Sequence, residues 1–250
     1  APRPRPVAAG SVAAALGRNR TPAPRPGGRV QRSGRYPESA CASHDRTVVT
    51  PHRSTGEWSI AVRQRAAVAQ VAQLGLQGRD PEGLLSEALV SLATNLGVSD
   101  VVLFEQRFDS VLVGRAAVLG GQAFGGSVMS KVQFPVDDES LVGYVVMRGH
   151  AVASSDTADD SRFRLAAHDY GLVARAAIGA PVGSGDEPWG AIVVYSAHVR
   201  TWTDDDIHFV QSMANTTGLA LARQRTEDEL RDSGLRLDLS LAAGGMGAWS

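Results

Sequence analysis

The chain has 250 residues, 43% of them hydrophobic and 20% charged, which suits one domain with extensions or two small domains. A single cysteine, Cys41, excludes an internal disulfide and a CxxC metal site, and no stretch approaches the ~18 apolar residues of a membrane span. The net charge of -1 divides into +8 for residues 1–56 and -9 for residues 57–250, so the basic excess lies apart from the foldable region and argues against general nucleic-acid binding.

Residues 1–56 hold eight of the twelve prolines, with Arg, Gly and Ser filling most of the rest. Proline removes backbone donors and no apolar period exists to bury, so disorder is expected. A basic arm, or a signal peptide with Val7–Leu16 as its apolar stretch, is a lesser alternative. Regular patterning begins near Glu57. Ile60, Ala67, Val68, Val71 and Leu74 mark one helix face. Asp80 as N-cap, Pro81 in the first turn and Gly97 as stop delimit a second helix with Leu84, Leu85, Ala88, Leu89, Leu92 and Leu96 inward.

Val101–Phe104 and Val111–Leu119 read as a hairpin about Asp109-Ser110. The glycine pairs at 120–121 and 125–126 are expected to bracket a flexible loop. It lacks the Gly-Lys-Ser/Thr of a phosphate cradle. Val132–Val136 alternates like a strand. Asp137–Ser140 then caps a helix through about Arg148, and Ala151–Ala153 is a short strand. Asp156–Asp169 is irregular or forms one or two turns of helix. Ala174–Val182 and Trp189–Ser196 are near-continuous apolar runs of the kind found in central strands. Thr203 or Asp204 caps a long helix in which Ile207, Val210, Ala214, Thr217 and Leu221 form a heptad-like seam. The order α-α-β-β-β-α-β-(α)-β-β-α predicts an α+β domain with a mainly antiparallel sheet.

Candidate chemistry is sparse. No histidine pair has HExxH or HxxxH spacing, and no GxSxG elbow occurs, so neither a metal nor a catalytic residue is expected. Phe134, Val142, Tyr170, Ile178 and Tyr195 are candidates to line a pocket between sheet and loops. The connection containing Asp156, Asp159, Asp160, Arg162 and Phe163 is where ligand-facing residues concentrate. From it Asp159 and Arg162 join the candidate set, together with His168, which could bond a ligand or ligate a haem.

Residues 60–226 resemble a GAF domain, the small-molecule sensory module of bacterial signalling proteins. The carrying segments are Leu96–Glu105, Gly149–Val152 with Asp156, Asp159, Arg162 and Phe163, the pair Ala177–Val182 and Trp189–Tyr195, and Trp202-Thr203-Asp204-Asp205-Asp206. The tail Leu235–Trp249 is similar to the opening of a PAS domain. The expected division is a disordered segment 1–56, a GAF-like domain 57–226, and a linker helix with the start of a truncated PAS domain at 227–250. The chain is accordingly expected to be a fragment.

The resemblance implies an antiparallel sheet of about six strands with helices on both sides and a small-molecule pocket facing the irregular connection. It further implies homodimerisation through the terminal helices, and relay to PAS and output domains of a cytoplasmic sensor. Cofactor and ligand remain unknown. Any enzymatic activity, such as a histidine kinase, diguanylate cyclase or phosphatase, would belong beyond residue 250, and a ligand-free scaffold is the competing reading. The NKxxFxxxDE signature of cyclic-nucleotide-binding members is absent. No cysteine within residues 57–226 is available for bilin attachment or for cysteine-dependent methionine-sulfoxide reduction.

Overall fold

The computed structural model of the protein describes residues 55–78, 80–107, 110–163, 174–183 and 188–245. The Pro/Arg-rich segment expected to be disordered lies outside these residues except at its last two positions, and so does Cys41. Two helices lead, α1 (Thr55–Leu76) and α2 (Pro81–Leu96). Asp80 caps α2 by accepting a hydrogen bond from the Gly83 amide at 3.3 Å, and Gly97 closes it in the left-handed conformation at φ 63°. The leucine stripe read from the sequence is fully buried.

The strands are β1 (Asp100–Arg107), β2 (Val111–Leu119), β3 (Gln122–Gly125), β4 (Gln133–Pro135), β5 (Val152–Ser154), β6 (Ala176–Val182) and β7 (Gly190–Ser196). Their order is β3-β2-β1-β7-β6-β5, with β4 pairing the first half of β2, and every pairing is antiparallel. The sheet thus has seven strands, one more than the sequence suggested. The addition is β3, where a flexible glycine loop was expected. Gly120 and Gly121 take φ values of 58° and 78°, the two-residue turn whose twist matches the flanking strands, so the chain folds straight back along β2. A four-residue helix α3 (Gly126–Met129) follows. Pairing of β1 with β2 slips between Leu103 and Phe104, which leaves Arg115 as the extra residue of a bulge.

Two cores flank the sheet. On one face α1, α2 and the last helix, α5 (Asp204–Gly245), bury Leu84, Leu89, Leu103, Ile178, Ile192, Val210 and Met213 among others. On the other face α3, α4 (Leu141–Arg148) and the β5–β6 connection cover Val102, Phe104, Phe134, Val145, Val193 and Tyr195. Ser140 caps α4, its hydroxyl accepting from the Gly143 amide at 3.1 Å. The helix then docks tightly on β6, because a Cβ at Gly179 would lie 2.6 Å from the Val145 Cγ2.

Helix α5 begins with a reciprocal cap: the Asp206 amide donates to Thr203 Oγ1 and the Thr203 amide donates to Asp206 Oδ2, each at 3.1 Å. Its heptad-like seam packs on the domain itself, with Val210, Ala214 and Thr217 completely buried. Residues 226–236 of the same helix are exposed. No described helix is long and apolar enough to cross a membrane.

Candidate functional site

Strand alternation sorts the expected pocket residues by face. Phe134 enters from β4, Val142 from α4 and Tyr195 from β7, and all three meet in the second core. The Phe104 and Phe134 rings there pack edge to face with centroids 5.4 Å apart. Ile178 is on the opposite face. In the β6–β7 ladder Ala177 opposes Tyr195 and Ile178 opposes Val194, so Ile178 and Val194 both enter the helix-side core. His168 and Tyr170 lie outside the described residues.

Asp159 and Arg162 belong to the connection after β5, which forms an open polar recess of about 430 Å³ with Ser154, Ser155, Asp156, Asp160 and Ser161. Arg162 Nε donates to Asp160 Oδ1 at 2.9 Å and its Nη2 to Oδ2 at 2.6 Å. This fork, reinforced by the Arg162 amide at 3.1 Å, outweighs the cost of burial and holds the Asp160 carboxyl down at about 2. The same Nη2 reaches the Ala153 carbonyl at 2.6 Å, which fastens the connection to β5. Asp156 is likewise held below its ordinary value, first by the Arg175 guanidinium, with contacts of 2.6 and 3.1 Å, and then by the Ala158 amide. Two of the three carboxylates are therefore neutralised within the recess. Asp159 is exposed and its carboxylate makes no hydrogen bond among the described residues, so it is open to a ligand's donor groups.

The recess adjoins the second core at Phe163. Arg162 lies over the Phe163 ring at 5.1 Å, and Tyr144 packs edge-on against it at 5.6 Å. It also reaches the root of α5. The Trp202 indole N–H donates to the Ser154 carbonyl at 3.1 Å, and the Arg200 amide donates to the Ser155 carbonyl at 3.1 Å. The Arg200 guanidinium stacks on Trp202 at 4.3 Å and binds the Leu96 carbonyl at 2.6 Å, tying both to the end of α2.

Several site residues escaped the sequence reading. Ser154 enters through its backbone carbonyl and Arg175 through its guanidinium on Asp156, neither marked by a motif, and Trp202, part of a segment that carries the family resemblance, was not expected at the site. Tyr144 carried a signal, since it is an aromatic residue standing off the Val142, Val145, Val146 stripe of its helix. Among the described residues, no group of three or more His, Cys, Asp or Glu side chains is placed to hold a metal. Smaller clefts lie between α1 and the start of α5, about 190 Å³, and beside Glu82 and Phe124, about 200 Å³.

An antiparallel sheet with long helices on one face, and short elements plus a polar connection on the other, defines an α+β domain. The family model for the GAF domain matches residues 80–221, and the chain belongs to that family. Its fold is similar to the GAF domain of a Coxiella burnetii phosphoenolpyruvate-protein phosphotransferase, at 18% identity and TM-score 0.58, over 68% of this chain and 98% of that one. The corresponding Acinetobacter domain aligns at 15% identity and TM-score 0.55, over 66% and 97%. A Neisseria meningitidis free methionine-R-sulfoxide reductase, solved with its substrate, aligns at 16% and 0.53, over 67% and 93%. Among curated proteins, none matches the sequence. Members of this family serve as sensory or ligand-binding modules of signalling proteins.

Proposed function

We propose that this domain is a cytoplasmic sensory module in which a small polar molecule binds at the β5–β6 connection and biases the position of α5. Helix α5 would carry that bias, as a homodimer, toward a PAS domain beginning near Leu235 and an output domain beyond. The domain itself is assigned no catalysis. The observation that carries the reading is the direct bonding of the recess to the helix root, Ser154 to Trp202 and Ser155 to Arg200. A ligand transmits a signal only through differential affinity for two arrangements, and these two bonds put recess and helix in one mechanical unit. Asp159 accepts from the ligand's donors, and Arg162, already fixed by Asp160 and Ala153, orients it.

Native mass spectrometry and thermal-shift screening of the full chain against small polar metabolites tests this. A bound mass whose affinity falls about tenfold or more in Asp159→Asn and Arg162→Gln, with the fold retained, is the expected result. One observation favours a second reading, a ligand-free scaffold: the second core is closely filled, with Phe104 and Val145 essentially inaccessible. Apo protein across all ligands and expression conditions would select that reading instead.

A further inference from the structure

We infer that a charge cluster at the open end of the β1–β7 ladder is a releasable latch on α5, with Arg225 as its movable part. Glu105 of β1, whose side chain is only 15% exposed, is approached by three guanidinium groups. Arg107 Nη2 lies 3.1 Å and Arg115 Nε 3.8 Å from Oε2, while Arg225 Nη2 lies 3.3 Å from Oε1. The β2 bulge presents Arg115, which is held at its other side by Glu82 of α2 at 2.5 Å. Arg225 also lies over the Trp189 ring at 5.5 Å. The latch thus joins α2, β1, β2, the start of β7 and α5.

Its place on α5 gives it consequence. Leu221 is buried in the helix-side core, and residues 226–236 are exposed. Arg225 therefore sits where the helix leaves the domain. Opening the latch is easy on both sides. Glu105 keeps Arg107 and Arg115 when Arg225 departs, so its largely buried carboxylate is not stranded. The Arg225 side chain is already 57% exposed and exchanges one partner for water. Among the described residues, the Trp189 indole N–H and the Gln106 Oε1 at this end are buried without a hydrogen-bond partner. Two arrangements of similar free energy are what a helix relay needs.

The inference deepens the relay reading of α5 and rests on it, yet its test uses the ligand-free full chain, so the latch can fail while ligand binding stands, and the reverse. Amide hydrogen exchange is measured residue by residue. Arg225→Ala is expected to speed exchange across 224–232 about fivefold, leaving α2 and β6–β7 unchanged. Arg107→Ala removes a rival cation from Glu105 and is expected to slow exchange in the same window about twofold. An unchanged window in Arg225→Ala, faster exchange in Arg107→Ala, or faster exchange throughout the domain in either variant would overturn the latch.

Discussion

At the scale of single residues, the recess is set by how carboxylates and guanidiniums pair. Asp160 has a carboxyl held at about 2 by Arg162, below the ordinary value of 3.8. A folded-state value below the unfolded one contributes stability that is full above pH 4 and is lost as pH falls toward 2. Because Arg162 is 41% exposed, solvent screening keeps the contribution under about 1 kcal/mol. Urea unfolding of Asp160→Asn is therefore expected to show a small deficit at pH 7 that closes as the pH is lowered from about 4 to 2. A deficit independent of pH would mean the carboxylate charge is not its source. Ile178 shows what single residues do not reveal. Its strand and its partner are both apolar almost throughout, so the period-2 signal that would assign faces is missing. Only the register, Ile178 opposite Val194, puts it on the helix side.

At the scale of elements, end signals were legible and folding-back was not. Asp80, Ser140 and Thr203 were all readable as caps because capping chemistry is local, a side-chain oxygen meeting an amide two or three residues on. Thr203→Ala removes one half of the reciprocal cap of α5 and is expected to cost about 1 kcal/mol, or roughly 2–4 °C in Tm for a domain of this size. Differential scanning calorimetry measures it, and an unchanged Tm would show that Asp206 alone suffices. The strand β3 was missed for the opposite reason. Glycine pairs permit either a mobile loop or a tight turn, and Gln122–Gly125 has no apolar alternation to decide between them. The open edge of β2 decides, by accepting Gln122 to Gly125 opposite Leu119 to Ala116. The recess was legible as a stretch of Asp and Arg in an irregular connection. Its ties to Trp202 and Arg200 were not, because they run through backbone carbonyls.

At the scale of the molecule, the long helix has two regions with different duties. Up to Leu221 it is a wall of the domain, and its heptad-like seam is occupied by the helix-side core. Past Arg225 it leaves the domain surface and continues to Gly245. A test of relay must therefore interrupt the second region without damaging the first. Proline at Leu221 would fail this test, because that side chain is buried and its loss would unsettle the core itself. Glu229→Pro meets it: the residue is exposed, four positions past Arg225, and proline there removes one helical hydrogen bond and clashes with the preceding turn. The full chain carrying this change is expected to keep the Tm of the domain within about 2 °C, since exposed sites contribute little to global stability. Exchange protection should be lost beyond the break, and the proposed homodimer, if the distal helix holds it, should dissociate in sedimentation equilibrium. A dimer that survives Glu229→Pro would move the interface to the body of the domain. A collapsed Tm would show that the emergent helix supports the fold, leaving no independent arm to relay a signal.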